Sequence, residues 1–136
     1  MILVDANVLM YAAGAAHRHK AASVSFLERV ASGEVEAALD AEVLQEVLHR
    51  YRAIGRWKEG RKVYDAARRI FPVVLPVTAE VGDRARGLLD EYGRLMARDA
   101  LHAAFVLEHG LDALCSFDRD FDRIEAVTRL EPGNVG

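Results

Sequence analysis

Short apolar runs alternate with stretches of helical period along this chain, and that alternation limits its possible folds more than any other feature. Residues 1–5 read as a short buried strand, residues 35–39 as a second and residues 111–116 as another. Val73, Val74, Leu75 and Val77 surround Pro76, which suits a strand near a sheet edge, and residues 126–130 make a weaker fifth. Between them lie the helical segments. Ala6 to Ala13 is a short apolar helix broken by Gly14. His19 to Ala31 carries Ala22, Phe26, Leu27 and Val30 at helical spacing, and Gly33 ends it. Asp40 caps a helix with Val43, Leu44, Val47, Leu48, Tyr51 and Ile54 on one stripe. A basic amphipathic helix follows from about Arg56 to Ile70, another from Thr78 or Ala79 to about Tyr92, and a last one from Arg98 to Glu108. Alternating strands and helices call for an α/β fold: a three-layer α/β/α sandwich on a mostly parallel sheet of four to five strands. Right-handed crossovers leave few topologies for it.

With 136 residues, about half of them hydrophobic, the chain suits one domain spanning residues 1–136, with no internal repeat or linker. No apolar run approaches the roughly 20 residues of a membrane span. No basic segment followed by a long apolar stretch opens the chain, so a secretory signal is not expected and the cytoplasm is the expected compartment. Cys115 is the only cysteine, which excludes an internal disulfide or a cysteine-built zinc site and leaves a small buried hydrophobe.

In parallel sheets of this kind, ligands bind outside the carboxyl ends of the strands, at a switch point in strand order. Asp5 and Asp118 each follow an apolar run and fall at such ends. Taken singly, Asp5 reads as a helix cap, and Asp118, Asp120 and Asp122 as a capped Asp-rich turn that lacks the calcium-loop pattern. Asn7, two residues beyond Asp5, reads as an amide bonded to the turn. Asp99 is harder to dismiss, because its helix is apolar on almost every side and a carboxylate there needs a reason beyond the helix dipole or Arg98. His102 neighbours it at i, i+3 and reads as a structural histidine or a supporting partner rather than a metal ligand. His17, His19, His49 and His109 read as peripheral. Glu46 falls away from the apolar stripe of its helix, so its expected place is the surface.

Net charge is −3, but Arg50, Arg52, Arg56, Lys58, Arg61, Lys62, Arg68 and Arg69 face only Glu59 and Asp65 in their segment. That leaves +6 there against −9 elsewhere. Such a run is ordinarily a solvated helical face; beside an acidic centre it also fits a polyanion-binding rim.

Ile2-Leu3-Val4-Asp5-Ala6-Asn7, Leu44-Gln45-Glu46-Val47, Ala97-Arg98-Asp99-Ala100-Leu101-His102-Ala103-Ala104 and Ser116-Phe117-Asp118-Arg119-Asp120-Phe121 occur in an order that resembles the PIN-domain family, specifically the VapC-type toxin ribonucleases of bacterial toxin–antitoxin pairs. The resemblance covers essentially the whole chain. It implies a PIN-like fold in which Asp5, Glu46, Asp99 and Asp118 hold Mg²⁺, with Mn²⁺ as a substitute, and in which Asn7 and Ser116 order water or substrate. It also implies hydrolysis of RNA by in-line attack of water, leaving 5′-phosphate and 3′-hydroxyl ends, together with an antitoxin partner and a homodimer. Gathered carboxylates agree with this in physical terms. Two of them about 4 Å apart repel by roughly 4 kcal/mol at an effective dielectric near 20, and hard oxygen donors select Mg²⁺ or Mn²⁺. On that reading Arg56, Lys58, Arg61, Lys62 and Arg98 become candidate RNA contacts.

Two other classes are weighed against it. A phosphoacceptor receiver domain needs a lysine late in the chain, and the only lysines are Lys20, Lys58 and Lys62. A haloacid-dehalogenase-like phosphatase needs an aspartate where Asn7 stands. A non-catalytic PIN-like module that only binds RNA or protein is the remaining alternative.

Overall fold

Period-two alternation in two central strands sorts the hydrophobic side chains into two layers. In the computed structural model, which describes residues 1–136, Val4 of strand β1 (Ile2–Val4) and Cys115 of β4 (Ala113–Cys115) enter one apolar cluster, while Leu3 and Leu114 enter another. The first cluster is completed by helices α1 (Ala6–Ala13), α2 (Lys20–Ala31), α3 (Ala41–Ala53) and α4 (Trp57–Ile70). The second is completed by α5 (Ala79–Glu91) and α6 (Ala97–Glu108). Helices therefore cover both faces of the sheet, as the alternation requires.

Strands β2 (Ala37–Asp40), β3 (Val74–Leu75) and β5 (Arg129–Leu130) complete a five-stranded sheet in the order β3-β2-β1-β4-β5, and every pairing is parallel. The chain builds outward from β1 through β2 to β3, then returns to add β4 on the other side of β1. The switch point of the sheet thus lies between β1 and β4, whose carboxyl ends carry Asp5 and Ser116–Asp118.

Local chemistry sets the element ends. Asp40 ends β2 and caps α3, its Oδ1 accepting from the Val43 N–H at 2.9 Å, and Thr78 caps α5 through the Val81 N–H. Gly60 lets α4 press on α3, since a Cβ there would lie 2.4 Å from the Cβ of Tyr51. Cys115 is fully buried, and burial first, then the Asp5 charge, push its thiol up to about 12. The fifth strand is shorter than the expected 126–130. Val127 turns into the core on a bond from its N–H to the Ile124 carbonyl, so only Arg129 and Leu130 reach the ladder. No helix is long and apolar enough to cross a membrane.

Candidate active site

Asp5 occupies the N-cap position of α1 yet makes no capping hydrogen bond. Its carboxylate is buried, the residue being 6 % exposed. There Oδ2 accepts from Ser116 Oγ at 2.6 Å and from Asn7 Nδ2 at 3.3 Å. Ser116 is fully buried and its hydroxyl is fully used, for it also accepts from Asn7 Nδ2 at 3.1 Å and from the Asp118 N–H at 3.0 Å. Ser116, expected to help order water or substrate, ties Asp5 to the backbone of Asp118 through this hydroxyl. Asn7 is only partly committed, to the same network and, through Oδ1, to the Phe117 N–H at 3.4 Å.

Asp118 is half-buried and does cap the short 3₁₀ turn Arg119–Arg123, as its turn context predicts, by accepting from the Asp120 N–H at 2.9 Å. Potential ligand oxygens of Asp99, Asp118 and the exposed Asp120 all lie within 4.8 Å of one another. Asp99 takes no hydrogen bond from another side chain. Burial first, then the charges of Asp118 and Asp5, raise its pKa to about 6. Burial likewise raises that of Asp5, against the lowering effects of His102 and Ser116.

Glu46 is not on the surface. Its side chain is 11 % exposed, and its Oε1 lies 2.7 Å from His102 Nε2. His102 is wholly buried and bonded on its other side, Nδ1 to Asp40 Oδ2, at 2.6 Å. Burial alone would lower the imidazole pKa. The charge and hydrogen bond of Asp40 and the hydrogen bond of Glu46 outweigh it and hold the pKa well above its usual value. Asp5 Oδ1 stands 3.8 Å from the same Nε2, so Asp5 and Glu46 meet around one imidazolium edge.

All four expected acids line a single cleft of about 320 Å³ with Asn7, Met10, His49, Arg50 and Arg98. His49, expected at the periphery, faces it, and Arg50 was hidden within the basic run. A wider groove of about 660 Å³ adjoins the cleft, sharing Asn7, Met10 and Arg50, and reaches Tyr11, Ile54 and Arg56. Lys58, Arg61 and Lys62 line neither space. They are exposed on α4, and Arg56 is paired with Glu59.

Carboxylates gathered at the switch point of a parallel sheet, with arginines at the rim, define an acid cleft suited to holding a cation beside a phosphate. The PIN domain family model matches residues 2–127, and the chain belongs to that family. It is 44 % identical over 130 residues to ribonuclease VapC13 of Mycobacterium tuberculosis, covering 96 % of this chain and 99 % of that protein. Among solved structures, VapBC2 from Rickettsia felis, bound to a DNA fragment from its promoter, superposes with a TM-score of 0.76 at 18 % identity, covering 96 % of this chain and 98 % of that one. A toxin–antitoxin complex from Klebsiella pneumoniae does so with a TM-score of 0.68 at 19 % identity, covering 99 % and 100 %.

Proposed function

We propose that this chain, as one domain over residues 1–136, is a divalent-metal-dependent endoribonuclease and the toxin of a toxin–antitoxin pair. The observation that carries the reading is the convergence of Asp5, Glu46, Asp99 and Asp118, from four separate elements, on one cleft where burial and then the charges of Asp118 and Asp5 raise the Asp99 pKa to about 6. An all-oxygen donor set under such repulsion fits a hard cation, Mg²⁺ with Mn²⁺ as substitute. Asp5, Glu46, Asp99 and Asp118 would hold it. Bound there, a divalent cation supplies Lewis acidity toward a phosphoryl oxygen and lowers the pKa of water at the site.

The chain's own residues do the rest. Ser116 and Asn7 fix the Asp5 carboxylate, and the Ser116 hydroxyl sets the backbone at Asp118. Arg50 and Arg98 at the cleft rim meet the phosphates on either side of the scissile bond, and Arg56 continues that path into the adjoining groove. Lys58, Arg61 and Lys62 contribute a diffuse attraction from α4. Water attacks phosphorus in line, the 3′-oxygen leaves with a proton, and the products carry 5′-phosphate and 3′-hydroxyl ends. The partners that fit this role are an RNA substrate, a cognate antitoxin and a second copy of the chain, in the cytoplasm.

The test is cleavage of a mixed RNA pool by the purified chain with Mg²⁺ or Mn²⁺, with and without EDTA, beside Asp5→Asn. Cleavage that EDTA abolishes and Asp5→Asn lacks is the expected result. Cleavage that persists in EDTA, or full activity in the variant, refutes the metal mechanism. No cleavage of any RNA by the intact chain, with RNA still bound, favours a non-catalytic binding module.

A further inference from the structure

Asp40, His102 and Glu46 form a bonded line of side chains in which only Glu46 has been given a task. Neither end of the line is accidental. Asp40 terminates β2, is wholly buried, and has one oxygen fixed by the Val43 N–H at 2.9 Å and the other by His102 Nδ1 at 2.6 Å. An ionised carboxylate can only accept, so a ring flanked by two of them donates from both nitrogens and is locked in one orientation. His102 comes from α6 and Glu46 from α3, so the bond at 2.7 Å also joins two helices.

Glu46 needs such a hold more than its companions do. It is the only glutamate of the four acids, with one more rotatable bond than aspartate and more conformational freedom to lose. Its Oε1 is taken by His102, whereas Oε2 receives no hydrogen bond from the protein and the residue faces the cleft. We propose that His102, braced by Asp40, is a positioning residue that holds the Glu46 carboxylate by one oxygen and presents the other to the cation site. The proposal rests on the metal reading above and extends it to two residues outside the acid quartet. A ring that merely tied β2, α3 and α6 together would affect stability and leave the affinity for the cation unchanged.

A double-mutant cycle read by calorimetric titration with Mn²⁺ separates the two. The full chain is compared with Glu46→Gln, His102→Leu and the double variant, each checked by circular dichroism and Tm. His102→Leu should weaken Mn²⁺ binding about 10–100-fold, the range for partners that orient a metal ligand. In the Glu46→Gln background the same change should add almost nothing, because the residue through which it acts is already lost. Equal losses in both backgrounds, or unchanged affinity with only a lowered Tm, overturn the positioning role. Should His102→Leu not fold, Asp40→Asn takes its place in the cycle. Asparagine keeps the cap on α3 but no longer obliges Nδ1 to donate, so a smaller loss that again vanishes with Glu46→Gln supports the proposal, and an additive one overturns it. Absence of Mn²⁺ binding by the unaltered chain refutes the metal reading itself; binding with an additive cycle refutes the positioning role alone.

Discussion

The acid cleft and the basic helix α4 carry opposite charge, and they are built in opposite ways. Each cleft carboxylate but that of Asp99 is held by a named bond: Ser116 to Asp5 and His102 to Glu46 join residues far apart in the chain, and the Asp120 N–H holds Asp118 locally. The bases of α4 are exposed, and the one ion pair among them, Arg56 with Glu59, lies in solvent where such pairs add little. A constellation fixed within hydrogen-bond distance suits chemistry at one phosphorus. A loose field of cations suits attraction of a polyanion whose position it need not specify.

The sharpest way to break the contrast is to remove one fixed carboxylate. Asp5→Asn or Asp99→Asn should lower RNA cleavage by at least about 100-fold, since losing even a partner of a metal ligand costs 10–100-fold. In the metal-free protein Asp99→Asn should also raise the Tm at pH 7.5, because it removes the buried charge and the repulsion from Asp118 and Asp5 that displace the Asp99 pKa. A lowered Tm with activity lost would mean that Asp99 serves the fold.

Ser116→Ala tests the same preorganisation one step back. It leaves the buried Asp5 carboxylate with only the longer bond from Asn7, at an expected cost of about 1–3 kcal/mol in denaturant unfolding. Stability equal to the unaltered chain would show that the hydroxyl holds nothing.

How the site could be read from the sequence follows the same divide. Asp5, Asp99 and Asp118 are legible because each interrupts or ends an apolar run, and a charge there demands a reason. Glu46 is not, because a helical wheel reports only where α3 buries its own stripe. Its burial comes from His102, 56 residues away on α6. Asp40 is legible as a cap and correctly so, but the bond from its second oxygen to His102 spans 62 residues. Among the bases, periodicity gives no means to tell Arg50, which lines the cleft, from Lys58 or Arg61, which do not. The element pattern is far more readable than the site, since period alone fixes it. The edge strands are the exceptions: β3 keeps only Val74 and Leu75, and within residues 126–130 Val127 serves the core instead of the ladder.

Smaller effects separate the two kinds of base. Arg50→Ala and Arg98→Ala should each weaken RNA binding by Asp99→Asn protein and reduce the slope of log affinity against log salt by about 0.7–1. Alanine at Lys58, Arg61 and Lys62 should each change it less, and equal slopes for both groups would dissolve the distinction.

Titration supplies the mildest test. Asp99 is raised above the unfolded value, so without a cation its ionisation erodes stability as pH rises toward and through about 6, and protonation restores it below. His102, also raised, contributes stability that is complete at acid pH and lost as pH climbs through its elevated value. Mn²⁺ should therefore raise the Tm more at pH 7.5, where the cleft is fully charged, than at pH 5, where a proton must first leave. A hundredfold excess over Kd corresponds to about 2.7 kcal/mol. An equal shift at both pH values would place the cation elsewhere.

The most direct test is crystallographic. In crystals soaked with Mn²⁺ and measured where manganese scatters anomalously, the account predicts a peak at bonding distance from the carboxylates of the cleft, among Asp5, Glu46, Asp99 and Asp118. A cleft without a peak at saturating Mn²⁺, or peaks only on exposed carboxylates such as Asp83 and Asp90 of α5, would contradict it.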